Sequence, residues 1–336
     1  MTERAATPNE RLRAQFAALA AYLDERIIGQ PALTSRLLIA LLCDGHILVE
    51  GAPGLAKTTA IKTLAGGIEG DFHRIQFTPD LLPADLTGTD VFRPQSSDFE
   101  FQPGPIFHNL LLADEVNRAP AKVQSALLEA MAERQVTVGA KSYPLPALFL
   151  VMATQNPIEQ EGTYPLPEAQ LDRFLLQVKV GYPDRAAEQR IMALVREEAH
   201  AGGTAMPNAA PIVSATSVLA ARDAVLELFL AEELERYIVE LVAVSREGTS
   251  AGAGQLADRP GRWLRYGASP RASLALDRAA RAHAWLAGRD YVTPDDIQAM
   301  AHEVLRHRLV PAYAADAQEI SADDVIRELL RYVAVP

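Results

Sequence analysis

A glycine-rich segment followed by lysine and threonine is the first group of residues in this sequence that could do chemistry. The segment Gly51-Ala-Pro-Gly-Leu-Ala-Lys-Thr58 lies between a short apolar run, His46–Glu50, and the helical stretch Thr59–Ala65. In this strand–loop–helix setting, the backbone N–H groups of the loop can surround phosphate groups. Lys57 would reach the β and γ phosphates, and Thr58 would hold Mg²⁺. The alternative is an ordinary turn built from glycine and proline.

Two carboxylates follow another apolar run, Leu110–Ala113, as Asp114 and Glu115. Attack of water on a phosphate needs a second metal contact and a base at such a place. Asp114 can bind the metal through water, and Glu115 can orient or deprotonate the attacking water. Asn156 follows the run Leu148–Ala153 and could position the same water. Buried strands that end in acids are common, so these residues indicate a phosphate site only in combination with the glycine-rich loop.

Ala56 departs from the general phosphate-loop pattern, in which glycine is usual at this position. If the position requires a positive φ, alanine costs about 1–2 kcal/mol there. The match to the general pattern, taken alone, is therefore weakened.

Apolar runs bounded by turn residues alternate with helical stretches in the first half of the chain. The runs are His46–Glu50, Ile75–Phe77, Leu110–Ala113, Leu148–Ala153 and Leu175–Val180. This alternation predicts an α/β fold with a mostly parallel sheet flanked by helices. Because Gly181-Tyr182-Pro183 ends the last run, we predict an α/β nucleotide-binding domain over residues 1–183 and a helical lid over residues 184–336.

Helix-start signals dominate the second half of the chain. Ser269-Pro270, Thr293-Pro294 and Ser321 each place a hydroxyl residue before a helical stretch, and Gly288 stands where the first of these helices should end. The low-complexity stretch 201–210 predicts a flexible loop. The second domain is therefore predicted to be all-α.

Composition excludes several classes of protein. The chain has 336 residues, of which 49% are hydrophobic, enough for about two domains. Its formal net charge of −11 has the wrong sign for tracking a nucleic-acid backbone, so we expect no nucleic-acid partner. A single cysteine, Cys43, forms no disulfide framework and is expected to be buried. No apolar run reaches the length of a membrane span, so we expect a cytoplasmic protein without membrane insertion.

Four motifs together resemble the MoxR family of AAA+ ATPases. They are Gly54-Leu-Ala-Lys-Thr58, Asp114-Glu-Val-Asn-Arg-Ala-Pro120, the segment from Gln155 to Phe174 and, more loosely, Gly267-Ala-Ser-Pro-Arg-Ala272. The first motif carries the same alanine in this family, so Ala56 is no defect there. The resemblance implies an AAA+ P-loop core, with a mostly parallel sheet flanked by helices, and a C-terminal all-α lid.

The resemblance also implies roles for further residues. Arg173 looks like the arginine finger that enters the ATP site of a neighbouring subunit, although a local salt bridge with Asp172 is the alternative. Arg271 is similar to the lid arginine that senses the γ-phosphate. Ile28, Gly29 and Gln30 look like the segment that packs on adenine, or form only a helix-entry turn. The expected nucleotide contacts, with ATP or ADP and Mg²⁺, are Ile28, Gly29, Gln30, Gly51, Ala52, Pro53, Gly54, Leu55, Ala56, Lys57, Thr58, Thr59 and Asp114; Thr58 and Asp114 are the metal ligands, and Glu115, Asn156, Arg173 and Arg271 are the catalytic residues.

Two segments look like hairpins typical of the AAA+ clade that contains MoxR, one inserted into helix 2 and the other preceding the sensor-1 strand. One covers about residues 88–103, with Phe92, Phe99 and Phe101 in strand-like alternation, and the other covers about residues 134–146. Contact with a client and a purely structural role remain equally open for both.

The expected function is that of an ATPase that remodels, matures or activates a protein client. The resemblance implies a homo-oligomeric ring, expected to be a hexamer, and a partner protein with a von Willebrand factor A (VWA) domain that carries a metal-ion-dependent adhesion site. Two alternatives remain: a nucleic-acid remodelling motor, and an ATP-gated scaffold in which hydrolysis serves as a reset.

Overall fold

The computed structural model of the chain describes residues 7–95, 97–157, 162–200, 210–249 and 259–336. The loop predicted at 201–210 lies almost entirely outside these ranges. Within them, no helix is both long enough and apolar enough to cross a membrane. Cys43 is buried, as its apolar neighbours predict.

Helices make up about half of the described ranges. They are α1 (Pro8–Arg26), α2 (Pro31–Leu42), α3 (Lys57–Gly67), α4 (Pro83–Thr87), α5 (Ala121–Glu133), α6 (Glu168–Leu171), α7 (Arg185–His200), α8 (Ala215–Leu226), α9 (Glu232–Val244), α10 (Pro270–Leu286), α11 (Pro294–Leu305), α12 (Tyr313–Asp316) and α13 (Ala322–Tyr332). The strands are β1 (Ile47–Glu50), β2 (Phe72–Gln76), β3 (Gly88–Arg93), β4 (Asp98–Pro103), β5 (Leu110–Asp114), β6 (Gln135–Val138), β7 (Lys141–Pro144), β8 (Leu150–Gln155), β9 (Leu176–Lys179), β10 (Leu264–Tyr266) and β11 (Val310–Pro311).

The chain divides into two compact units. Unit 1 comprises Met1–Leu166 and Val178–Ala220, and unit 2 comprises Pro167–Gln177 and Ala221–Pro336. The segment Pro167–Gln177 thus packs with the helical part of the chain, although most of that part follows much later in the sequence. The domain boundary predicted after residue 183 stays a prediction.

A five-stranded sheet has the order β2-β5-β8-β1-β9. The pairs β2–β5, β5–β8 and β1–β8 are parallel, so the prediction of a mostly parallel sheet is confirmed. β5 is buried along its whole length, as expected of a central strand covered on both faces. The register sets Gln76 beside Asp114 and Glu50 beside Gln155. The carboxyl ends of these strands, which carry the predicted site residues, therefore meet at one edge of the sheet.

Two antiparallel hairpins, β3–β4 and β6–β7, lie in unit 1 where the sequence predicts insertions. Phe92 and Phe99 are cross-strand partners whose ring centroids lie 5.3 Å apart, and both are at least half exposed. Phe101 stacks on Tyr143 with a centroid distance of 3.9 Å. This stack connects one hairpin to the other.

The three predicted helix starts in unit 2 are confirmed. α10 follows Ser269, whose Oγ accepts a hydrogen bond from the Arg271 N–H. α11 follows Thr293, and α13 follows Ser321, whose Oγ accepts from the Asp324 N–H. Side chains that satisfy N–H groups of the first turn stabilise a helix by about 1 kcal/mol each.

A buried carboxylate, Asp296, connects α10 to α11. It accepts hydrogen bonds from Arg289 and from the Thr293 N–H, and its Oδ1 lies 2.6 Å from His283 Nδ1. Burial raises the pKa of the Asp296 carboxyl, but the hydrogen bonds from Arg289, His283 and Thr293 outweigh this effect and hold the pKa well below its usual range. Asp296 is therefore a buried anion whose charge is compensated by its neighbours.

Candidate functional site

A cavity of about 570 Å³ opens at the carboxyl edge of the sheet in unit 1. Its volume falls within the range of about 300–1,000 Å³ that is typical of ligand pockets. The predicted site residues on its wall are Ile28, Gln30, Pro53, Gly54, Leu55, Ala56, Lys57, Thr58, Thr59, Asp114, Glu115 and Asn156. The structure therefore brings most of the predicted nucleotide site together.

The loop between β1 and α3 has the geometry of an anion-binding turn. Gly54 has φ +81°, and an added Cβ would meet no atom within 4 Å, so its backbone conformation is the reason for glycine. α3 begins at Lys57, and Ala56 before it offers no side-chain acceptor to the N–H groups of the first turn. Lys57 Nζ donates to the Gly51 carbonyl at 2.6 Å. The N-terminal end of α3 thus offers N–H groups and a cation to an anion in the cavity.

Ala56 adopts the left-handed conformation, with φ +56° and ψ +16°. The position therefore does require a positive φ, and the alanine there costs about 1–2 kcal/mol in backbone strain. Strain of this kind persists where the surrounding structure over-determines the backbone, often beside a ligand.

Asp114 ends β5 with both carboxylate oxygens engaged. Oδ1 accepts the Thr154 hydroxyl at 2.6 Å, and Oδ2 accepts hydrogen bonds from Nη2 and Nε of Arg74 at 2.8 and 3.1 Å. Thr154 Oγ1 also accepts the N–H of Glu115 at 2.9 Å. One threonine of β8 therefore fixes both acidic residues relative to the sheet.

Glu115 is a second residue in the left-handed conformation, with φ +56° and ψ +50°. Its Oε2 accepts hydrogen bonds from Gln76 Nε2 at 2.7 Å and from Arg118 Nη1 at 3.1 Å. Gln76 Oε1 in turn accepts from Arg74 Nη2 at 3.0 Å. A continuous chain of hydrogen bonds thus connects the two carboxylates through Arg74 and Gln76.

Thr58 and Asp114 both line the cavity and supply hydroxyl and carboxylate oxygens. Mg²⁺ prefers such donors and usually takes only one or two from protein, with phosphate and water completing its shell. In the part of the chain that the structure describes, no group of three or more His, Cys, Asp or Glu side chains could hold a metal ion by itself. The donors present fit a Mg²⁺ ion that arrives with a nucleotide.

An apolar wall forms part of the cavity. Ile191, Leu194 and Val195 of α7 line it together with Ile28 and Pro183. A flat aromatic base would bury its faces against these side chains, whereas phosphates would lie at the α3 end. The spacing of 191, 194 and 195 on one helical face is the sequence signal that could have identified this wall.

Three predicted contacts lie off the cavity wall. Gly51 and Ala52 line a neighbouring cavity of about 230 Å³. Gly29 has φ +80°, and a Cβ on it would approach Pro183 and Ala187 to 2.9 Å. Gly29 therefore allows the chain to pass close to the segment that carries the apolar wall.

The two predicted arginines belong to unit 2, where Asp172 connects their segments. Asp172 Oδ2 accepts the hydroxyl of Ser269 at 2.9 Å and lies 3.8 Å from Arg271 Nη1. Its Oδ1 accepts from Arg308 Nε at 2.8 Å. Burial lowers the pKa of the Arg308 guanidinium, and the charge of Asp172 opposes the shift. The residue before Arg173 thus contacts the start of the helix that carries Arg271.

Comparison with known proteins assigns both parts of the sequence to families. Residues 46–176 match the ATPase family associated with various cellular activities (AAA), and residues 257–329 match the AAA lid domain. Chaperone MoxR1 of Mycobacterium tuberculosis is 47% identical over 310 residues, covering 92% of this chain and 79% of that protein. The chain belongs to the MoxR family of AAA+ ATPases.

Further relatives agree with membership of the MoxR family. Protein MoxR of Paracoccus denitrificans is 34% identical over 314 residues, covering 89% of this chain and 90% of that protein. The crystal structure of a candidate ATPase from Cytophaga hutchinsonii is 44% identical, with a TM-score of 0.87 over 98% of this chain and 97% of that chain. The predicted AAA+ core with a helical lid is therefore confirmed.

Several polar residues at this MoxR-family site were not among the predicted ones, and Arg74, Gln76 and Thr154 are those that contact the two carboxylates from neighbouring strands. Arg74 and Gln76 lie on β2 with their side chains exposed toward the cavity. Only the strand order, in which β2 lies beside β5, shows that these side chains reach Asp114 and Glu115.

Proposed function

We propose that this chain is a Mg²⁺-dependent ATPase that uses ATP hydrolysis to remodel, mature or activate a protein client. The observation that carries the proposal is the convergence of Lys57, Thr58, Asp114, Glu115 and Asn156 on one cavity. Each side chain is suited to one task in the transfer of a phosphoryl group to water. The name of a similar protein, Chaperone MoxR1, supports the part that concerns a client.

The loop before α3 and Lys57 would bind the phosphates. The Lys57 ammonium, now on the Gly51 carbonyl, would exchange this neutral acceptor for a phosphate oxygen and gain a charge-assisted contact. The wall formed by Ile28, Ile191 and Leu194 would hold the base. Binding therefore places the γ-phosphate toward Asp114 and Glu115 at the strand ends.

Hydrolysis requires a positioned water and compensation of charge. Mg²⁺, held by Thr58 and Asp114, supplies charge neutralisation on the phosphates when bound. Glu115 accepts a proton from the attacking water or orients it, and the Asn156 amide holds the same water by a hydrogen bond. Glu115 would contact the water through Oε1, because Gln76 and Arg118 both donate to its Oε2.

Two substitutions separate binding from hydrolysis. Lys57→Ala should abolish nucleotide binding, and Glu115→Gln should retain binding while losing turnover. Lys62→Ala, on the exposed side of α3, is the matched control and should behave like the wild type. Nucleotide-binding and phosphate-release assays provide the readout, and DNA or RNA should not stimulate turnover. A Glu115→Gln protein that hydrolyses ATP at the wild-type rate would remove Glu115 from its role.

We further propose that ATP favours a ring, a hexamer, in which Arg173 completes the site of the next subunit. An arginine supplied in this way contributes about 10³–10⁵ in rate in related enzymes. Mixing inactive Arg173→Ala subunits with inactive Glu115→Gln subunits should restore part of the activity, because some interfaces then pair an intact Glu115 with an intact Arg173. Native mass spectrometry must confirm the mixed rings. Full activity of Arg173→Ala as an isolated monomer would contradict the proposal.

The client and a VWA-domain partner are proposed from the family alone, and so is a cytoplasmic location. Affinity capture with Glu115→Gln, which should hold ATP and its partners, tests both interactions. Recovery of a VWA-domain protein is the expected result. Recovery of nucleic-acid-processing proteins alone would favour a nucleic-acid motor instead.

A further inference from the structure

Arg74 forms an ion pair with Asp114, and both residues line the cavity. Nη2 and Nε of Arg74 donate to Asp114 Oδ2 at 2.8 and 3.1 Å. The Arg74 side chain is 50% exposed, whereas that of Asp114 is 13% exposed. The contact therefore joins a solvated cation to a nearly buried anion that is fixed at the end of a central strand.

Both oxygens of Asp114 are used by these contacts. Thr154 donates its hydroxyl to Oδ1, and two N–H groups of Arg74 occupy the acceptor sites of Oδ2. A metal ion, or a water bound to it, that contacts Oδ2 needs one of the acceptor sites that Arg74 occupies, because Thr154 takes only one of the two sites of Oδ1. Because the guanidinium and Mg²⁺ are both cations, their repulsion adds to this competition for acceptor sites.

We propose that Arg74 is a competing cation that occupies Asp114 until Mg²⁺ displaces it. The inference rests on the proposed function, since it assigns Asp114 to Mg²⁺ and the cavity to a nucleotide. Arg74 would then set the Mg²⁺ concentration at which the site holds its nucleotide firmly. Two observations support this: Arg74 lines the same cavity as Asp114, and its guanidinium donates to Oδ2, an oxygen that a metal ion in this cavity would use.

Removing the competitor should make Mg²⁺ binding easier. Mg²⁺ should raise the affinity for a fluorescent ADP analogue. In Arg74→Gln, we expect the Mg²⁺ concentration that gives half of this gain to fall about three- to tenfold, equivalent to about 0.6–1.4 kcal/mol. The range reflects a charge-assisted contact weakened by partial exposure. Mn²⁺ titration in the presence of ADP, followed by electron paramagnetic resonance of the free ion, measures the metal directly. Neither readout requires hydrolysis.

Arg118→Gln is the matched control. It removes the same charge from Glu115, 3.1 Å from Oε2, and leaves Asp114 untouched. If only the loss of a positive charge mattered, both variants would lower the Mg²⁺ requirement equally. Because only Arg74 contacts Asp114, we expect a clearly smaller change in Arg118→Gln. Arg74→Lys, which keeps the charge but loses the two-pronged contact, should fall between Arg74→Gln and the wild type.

The possible results distinguish failure of the Arg74 proposal from failure of the proposed ATPase function. An Arg74→Gln protein whose Mg²⁺ requirement is unchanged, raised, or lowered no more than that of Arg118→Gln overturns the inference while the nucleotide site stands. A raised requirement would identify Arg74 as a support for Mg²⁺ binding. A wild-type protein that binds no ADP at any Mg²⁺ concentration would remove the proposed function itself.

Discussion

Replacing Ala56 by glycine should stabilise unit 1, against the usual effect of glycine. Ala56 has φ +56° in the turn before α3, a conformation that disfavours any residue with a Cβ. Glycine adopts this conformation freely. The substitution therefore removes strain while the loop keeps its backbone path.

The expected magnitude is the difference between two effects. Relief of the left-handed strain contributes about 1–2 kcal/mol, and the greater freedom of glycine in the unfolded chain removes about 0.4–1 kcal/mol of that gain. At the midpoints of these two ranges the net stabilisation is about 0.8 kcal/mol, which raises the unfolding midpoint of a unit of this size by about 2–3 °C. Ala65→Gly makes the same chemical change within α3, where the backbone is right-handed, and should destabilise by about 0.5–1 kcal/mol.

The assay must report on unit 1. The two tryptophans, Trp263 and Trp285, both lie in unit 2, so their fluorescence reports on the other unit. Hydrogen exchange of β1 and α3 peptides, together with thermal unfolding followed by circular dichroism, measures the relevant stability. If Ala56→Gly destabilises as much as Ala65→Gly does, the left-handed assignment of Ala56 is wrong.

Two further predictions concern unit 2. Asp172→Asn should destabilise it by about 3–5 kcal/mol, because Arg308, whose side chain is 3% exposed, keeps its charge and loses its carboxylate partner; tryptophan fluorescence during urea unfolding measures this, and Arg236→Ala, which breaks an exposed pair with Glu233, should change stability by less than about 1 kcal/mol. Burial, with a contribution from the charge of Arg308, lowers the pKa of His307 well below its usual value of about 6.5. Below pH 6.5, His307 is therefore protonated in the unfolded chain and stays neutral in the native protein. The free energy of unfolding should fall by up to about 1.4 kcal/mol per pH unit as the pH drops from 6.5 to 5.5. His307→Gln should flatten that slope, and an unchanged slope would assign it to other groups.

Residues that share one local motif were predictable from the sequence. Lys57 and Thr58 belong to a loop whose function depends on its own backbone, and Asp114 and Glu115 end an apolar strand. Parallel strands place their carboxyl ends at one edge, so Asn156 could be added from the pattern of β8 alone. The cavity wall contains all five.

Contacts set by strand order or by distant packing were not predictable in this way. Arg74 has no feature in the sequence that distinguishes it from a surface arginine, and only the position of β2 beside β5 brings it to Asp114. Arg308 resembles any charged residue near a helix end, yet it is buried against a segment more than 130 positions earlier. Such residues acquire their roles from tertiary neighbours, which local propensity does not encode.

The position of Asp172 has a consequence for the order of events around a ring. With the roles proposed above, and with Arg271 acting on the nucleotide of its own subunit, Arg173 serves the nucleotide of one neighbour. Asp172 precedes Arg173 and contacts both Ser269 and Arg271, so a change at the start of α10 would be passed to the segment that carries Arg173. Each subunit would then inform the neighbour on one side and not the other. In the proposed ring, a change at one lid would then pass in a single direction, and Asp172 would be one link in its path.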